Sequence, residues 1–243
     1  MRKIFYLLSC LLALTSCAEQ YNIAGNTSAA FLDGRMLYLR VSPDGVQENC
    51  VDSCEVIHGR FNFIGDVDSI VLAQIYMDEQ SMMPLVIENA KLTVQVDNVG
   101  QSVMGGPLNE ALYAFLQKKN RIENEMWEVE HTGIRMLRDG KSPEEVKEKL
   151  NPKVERLNRK LEELETKFIM DNYDNVLGPG FFIQLCNQYP YPIMTEQIRK
   201  IVKKAPPSFL CHPYISHYVR TAQKNQHLKN ICYKLLKNLI NQV

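Results

Sequence analysis

The sequence predicts an α+β chain: a small antiparallel β sandwich or barrel, then a helical domain built on a long antiparallel helical hairpin. Three observations carry this. Residues 21–103 hold six or seven short apolar runs of strand period, separated by turn residues. The alternation stops at Gly105-Gly106-Pro107, where helical spacing takes over. A heptad-like stripe then runs from Val146 to Phe168. Of the 243 residues, 45% are hydrophobic and 23% charged, which excludes a disordered or collagen-like chain.

Taken in order, the N-terminus reads as an export signal over residues 1–16. Arg2 and Lys3 precede an apolar run from Ile4 to Ala13, too short to span a bilayer as a helix. Leu14-Thr15-Ser16-Cys17 resembles the lipobox of bacterial lipoproteins. That resemblance implies a diacylglyceryl thioether on Cys17, with palmitate-type acyl chains, and cleavage just before it. Two or more chains anchor stably where one is marginal. Ala18 stands where an Asp would imply inner-membrane retention, so the expected address is the outer membrane, with the periplasmic or surface face left open. Residues 17–20 form a tether, 21–106 an all-β domain and 107–243 a helical domain.

Arg35–Val41 is an apolar-rich strand followed by the turn residues Pro43-Asp44-Gly45. Val51–His58 and Arg60–Ile64 flank Gly59, and Phe61 and Phe63, two apart, share one face. Ser69–Met77 is nearly all apolar, as a central strand would be; Pro84–Glu88 and Lys91–Asp97 follow. In the helical half, Leu108, Ala111, Leu112, Phe115, Ile122, Met126 and Val129 recur at helical spacing. The chain turns at Arg138–Lys141, and Ser142 with Pro143 and Glu145 forms a capping box. Val146, Leu150, Val154, Leu157, Leu161, Leu164 and Phe168 make the stripe, a packing surface for the preceding helix. Further helices are expected over Phe181–Gln188, Thr195–Lys204 and, as one bent helix or two, Pro213–Val243.

Five short motifs occur in a fixed order: Tyr21-Asn22-Ile23-Ala24-Gly25, Gly34-Arg35-Met36-Leu37-Tyr38-Leu39, Asp52-Ser53 with Gly59-Arg60-Phe61-Asn62-Phe63, Pro84-Leu85-Val86-Ile87-Glu88, and Gly105-Gly106-Pro107-Leu108-Asn109. In this order they resemble the N-terminal domain of unknown function of thioredoxin-like (AhpC/TSA-type) lipoproteins of anaerobic Gram-negative bacteria. Asn175-Val176-Leu177-Gly178 is similar to the segment that joins that domain to its thioredoxin partner. The resemblance implies a partner domain bearing Trp-Cys-x-x-Cys. This chain has no such motif, and its one Trp, Trp127, lies in a helical stretch, so that redox activity is not carried over.

No catalytic constellation emerges, and no cofactor or metal is expected. Cys10 leaves with the signal and Cys17 is the lipid site, leaving Cys50, Cys54, Cys186, Cys211 and Cys232. Cys50 and Cys54 in one extended strand would be about 13 Å apart at ~3.3 Å per residue, beyond the ~7 Å reach of a disulfide. Cys211-His212 with His217 lacks the paired spacings of zinc sites. His58, His131 and His227 lack catalytic partners at informative positions, and Glu123, Glu125, Glu128 and Glu130 form a solvated helix face.

Charge is the remaining signal. Residues 17–107 hold four basic and twelve acidic side chains, whereas 108–243 hold twenty-two and sixteen. No Asp or Glu follows Glu196, while Arg199, Lys200, Lys203, Lys204, Arg220, Lys224, Lys229, Lys234 and Lys237 are all basic. Lys200, Lys203, Lys204, Lys229, Lys234 and Lys237 are the candidate contacts for an acidic envelope partner. The overall balance of 28 basic and 28 acidic residues argues against a nucleic-acid binder. The expected function is a non-catalytic, lipid-anchored binding or scaffolding module that meets its partner through a sheet edge or the basic tail. The alternatives are an accessory component of a thiol–disulfide or peroxide-handling system, or a truncated relative of the thioredoxin-like lipoproteins.

Overall fold

The computed structural model describes residues 20–42, 48–66, 69–98 and 100–240, with backbone alone for 229–240. The signal segment, Cys17 and the Pro43–Gly45 turn lie outside the described residues, as do the side chains of Lys229, Cys232, Lys234 and Lys237. The chain divides into two compact units, Met1–Arg40 with Cys50–Gly106 and Val41–Asn49 with Pro107–Val243.

Eight strands are described: β1 (Gln20–Thr27), β2 (Met36–Val41), β3 (Asn49–Glu55), β4 (Arg60–Asp66), β5 (Val71–Met77), β6 (Gln80–Ile87), β7 (Lys91–Val96) and β8 (Gln101–Met104). They form two four-stranded sheets, β4-β1-β7-β8 and β3-β2-β5-β6. β1 pairs with β4 antiparallel but with β7 parallel, so the first sheet is mixed where an antiparallel one was expected. Burial alternates along the strands, with Tyr21, Ile23, Phe61, Phe63, Leu92 and Val94 buried on the first sheet and Leu37, Leu39, Ala73, Ile75 and Leu85 on the second. Phe61 and Phe63 share a face and meet edge-on, 6.0 Å between ring centroids.

β1 and β8 are the strands that the apolar pattern did not reveal. Gly25 interrupts the inward row of β1 because the Phe61 ring occupies the space a side chain would fill there. β8 has four residues and one buried side chain, Val103. β6 starts at Gln80, before the expected Pro84, because it is an edge strand, where a missing N–H is tolerated. β5 lies between β2 and β6, the interior place its apolar run implied.

The helical unit begins with α1 (Pro107–Arg138) and α2 (Pro143–Asp171). Ser142 caps α2: its hydroxyl accepts from the Glu145 N–H, whose carboxylate accepts from the Ser142 N–H. The helices pack as an antiparallel hairpin. Gly133 faces Leu150 and Val146, while at the other end Phe115 stacks on Phe168 with centroids 4.0 Å apart. Next come α3 (Leu177–Asn187), α4 (Glu196–Lys204), α5 (Pro207–Leu210) and α6 (Pro213–Ile240), the last a single helix. Ile169, Phe182, Leu185, Ile198, Ile201, Phe209, Ile215 and Tyr218 build their shared core.

Burial sets the alkaline limit of this core. Tyr173 and Tyr218 are pushed up to about 12 by desolvation, as is Tyr21 in the β unit, where Asp52 adds to the effect. In the unfolded chain these phenols ionise near 10. Their contribution is therefore complete below pH 10 and lost as pH rises toward 12. Near-UV circular dichroism is expected to hold to pH 10 and collapse between 10 and 12; a signal constant to pH 12 would contradict the burial.

Candidate functional site

Three places concentrate chemistry. The first is α4, whose amphipathic period puts Ile198 and Ile201 in the core and Lys200, Lys203 and Lys204 in solvent. Thr195 caps the helix by accepting from the Ile198 N–H, and the buried Gln197 donates to the Glu162 carbonyl. The Tyr173 hydroxyl donates to the Ile201 carbonyl at 2.6 Å, pinning the C-terminal turn. Arg199 pairs with Glu196 at 3.4 Å and donates to Gln226. Lys200, Lys203 and Lys204 pair with no carboxylate among the described residues. Lys203 and Lys204 also oppose the negative end of the helix dipole, a structural use for part of that charge. The geometry thus brings three of the six candidate lysines onto one exposed helix face.

The second is the edge formed by β3. Cys50, Asp52 and Cys54 alternate onto one side of that strand. The Asp52 carboxylate accepts from the Ser53 N–H at 2.7 Å, from the Ile64 N–H of β4 at 3.0 Å, and from the Tyr21 hydroxyl. This carboxylate ties β3 of one sheet to β4 and β1 of the other, which is a structural task. Both cysteines are free, Cys50 exposed and Cys54 half-buried. Burial pushes the Cys54 thiol up to about 11, leaving it protonated and a poor nucleophile at neutral pH. Cys186 is likewise held at about 12.

The third is a cleft in the helical unit lined by Phe115, Phe181, Lys119, Glu165, Gln184 and Gln188. Lys119 donates to Glu165 at 2.6 Å, and both are largely shielded from water. The cavity measures about 30 Å³, room for one or two waters and far below the several hundred Å³ of an organic-ligand pocket. Its ion pair locks the α1–α2 hairpin. Sequence spacing hid this pair, since its members stand 46 residues apart.

Cys211 is exposed after α5 and His217 is exposed on α6, while the Nδ1 of His212 is buried without a partner among the described residues. Burial lowers the His212 pKa, favouring the neutral ring. Among the described residues no three His, Cys, Asp or Glu side chains gather closely enough to hold a metal ion. No described helix is long and apolar enough to cross a membrane.

No curated protein matches the chain. Residues 21–112, which are the strands of the β unit and the first six residues of α1, match the protein family described as "Domain of unknown function (DUF4369)", the kind of N-terminal domain that the five ordered motifs resemble.

Proposed function

We propose that the protein is a lipid-anchored binding or scaffolding module of the cell envelope, attached through Cys17 at the outer membrane and without catalytic chemistry of its own. The observation that carries the reading is the α4 face, where Lys200, Lys203 and Lys204 are exposed without a described counter-ion. They stand in a segment that lacks acidic residues after Glu196. Such a face selects an acidic protein partner and steers its approach. Lys229, Lys234 and Lys237 continue the same bias along α6.

Two measurements test this reading. Labelled palmitate should enter the wild-type chain and not Cys17→Ala; an unlabelled wild type would sink the anchor. A photo-crosslinking amino acid in place of Lys200, used in intact cells, should capture one dominant envelope protein. Lys203→Glu with Lys204→Glu should cut that yield about tenfold, as for the loss of ~1.4 kcal/mol. An unchanged yield would exclude the basic face as the contact.

A further inference from the structure

We infer that the outward face of the sheet β4-β1-β7-β8 lies on the lipid surface, against neutral phospholipid headgroups. The inference rests on the lipid-anchor reading above. β1 begins at Gln20, three residues after Cys17. At ~3.5 Å per residue that gives Gln20 about 10 Å of leash from the lipid-bearing Cys17. β1 is an interior strand of this sheet, and Gln20 lies at its strand-end rim opposite Asp66, two residues from the Asn22–Lys91 pair.

The face itself is unlike the rest of the β unit. Residues 17–107 carry twelve acidic side chains. The outward row of this sheet, fixed by the register of β1 with β4 and β7, has one acidic residue, Asp66, against Arg60 and Lys91. Its other outward positions are Asn, Gln, Ala, Thr and Ser, apart from two aliphatics. Those are Ile64 on β4 and Met104 on β8, 59% and 52% exposed. A near-neutral face of amides and hydroxyls can exchange hydrogen bonds with headgroups, and the two aliphatics can reach the acyl boundary. A face with the unit's average charge would meet zwitterionic lipid less favourably, because every carboxylate would have to be desolvated. The contact need not be strong. A tether this short holds the face at high effective concentration, so an interaction too weak to recruit a free protein still orients an anchored one.

Lys91 is the sole lysine between residues 17 and 107, which makes it a selective reporter. The full lipidated chain, purified from its own membranes, is placed on vesicles of phosphatidylethanolamine and phosphatidylcholine and treated with a water-soluble acetylating reagent. Flotation scores the anchor. Peptide mass spectrometry scores Lys91 against Lys141, which is exposed at the hairpin turn. The chain should float, and Lys91 should react about fivefold more slowly than in the same chain begun at Ala18, while Lys141 reacts equally in both. Ile64→Asp with Met104→Asp should float as before and restore Lys91 reactivity. A floating chain whose Lys91 stays fully reactive overturns the face and leaves the anchor standing. A chain that does not float overturns the anchor, and the face falls with it. Protection seen in native membranes but absent on pure vesicles would assign the face to a protein and also overturn the proposal.

Discussion

Gly178→Ala is expected to destabilise the helical unit by about 3 kcal/mol, a large value for one methyl group. Gly178 sits in the first turn of α3, fully within the core. Its N–H donates to the Asn172 carbonyl at 3.2 Å, so two backbone segments touch there. A Cβ would be driven into that carbonyl oxygen and onto the Cα of Tyr173. Neither is the end of a flexible side chain, so relief requires moving the backbone between α2 and α3. That backbone is already held by side chains: Asn172 donates to the Phe168 carbonyl, and Asn175 donates to Asn172 while accepting from the Leu177 N–H. Gly133→Ala is the contrast. There the nearest atoms are the flexible tips of Leu150 and Val146, at 3.3 and 3.5 Å, and alanine gains helix propensity of up to ~1 kcal/mol. Urea unfolding followed by Trp127 fluorescence should therefore show Gly178→Ala shifted to much lower denaturant and Gly133→Ala shifted little. Equal midpoints for the two would contradict the packing described at α3.

The same pair shows what was legible beforehand. The hairpin could be read in detail, because a capped helix start, a glycine turn and a stripe of fixed period leave one antiparallel solution. Once the turn is placed at Gly140, the contacts follow: Phe168 pairs with Phe115, Glu165 with Lys119 and Leu150 with Gly133, each three or four residues further from the turn than its mate. In the β unit the limit was different. A strand announces itself by its inward side chains, and β1 places a glycine where Phe61 supplies the bulk instead. That substitution happens across strands and leaves no local pattern. The parallel pairing of β1 with β7 is hidden for the same reason, since register is a property of two distant segments. The exposed α4 lysines were legible as a charge bias, but their gathering on one face needed the helix. Asp52 was legible only as part of a motif, because its partners Tyr21 and Ile64 come from two other strands.

Gly105→Ala should cost the β unit about 3 kcal/mol or more, because two independent penalties fall on one residue. Its φ is +89°, in the region that side chains rarely adopt. An added Cβ would also be pressed into the Lys91 carbonyl oxygen, at the start of the neighbouring strand β7. Gly140 separates the two costs. It has nearly the same φ, +83°, yet nothing lies within 4 Å of where its Cβ would stand. Gly140→Ala thus pays the conformational term alone, about 1 kcal/mol. The excess for Gly105→Ala measures the close approach of the chain to β7 just before it enters α1. The readout should be local, because Trp127 lies in the other unit and would report little of the change. Native-state amide exchange at the β8 amides that donate to β7 is the suitable probe: Gly105→Ala should lose protection there by about a hundredfold or more, as for ~3 kcal/mol. If Gly105→Ala proved no worse than Gly140→Ala, the backbone contact with Lys91 would carry no energetic weight. The β7–β8 pairing would then owe its hold to its own ladder and to the buried Val94, Val96 and Val103.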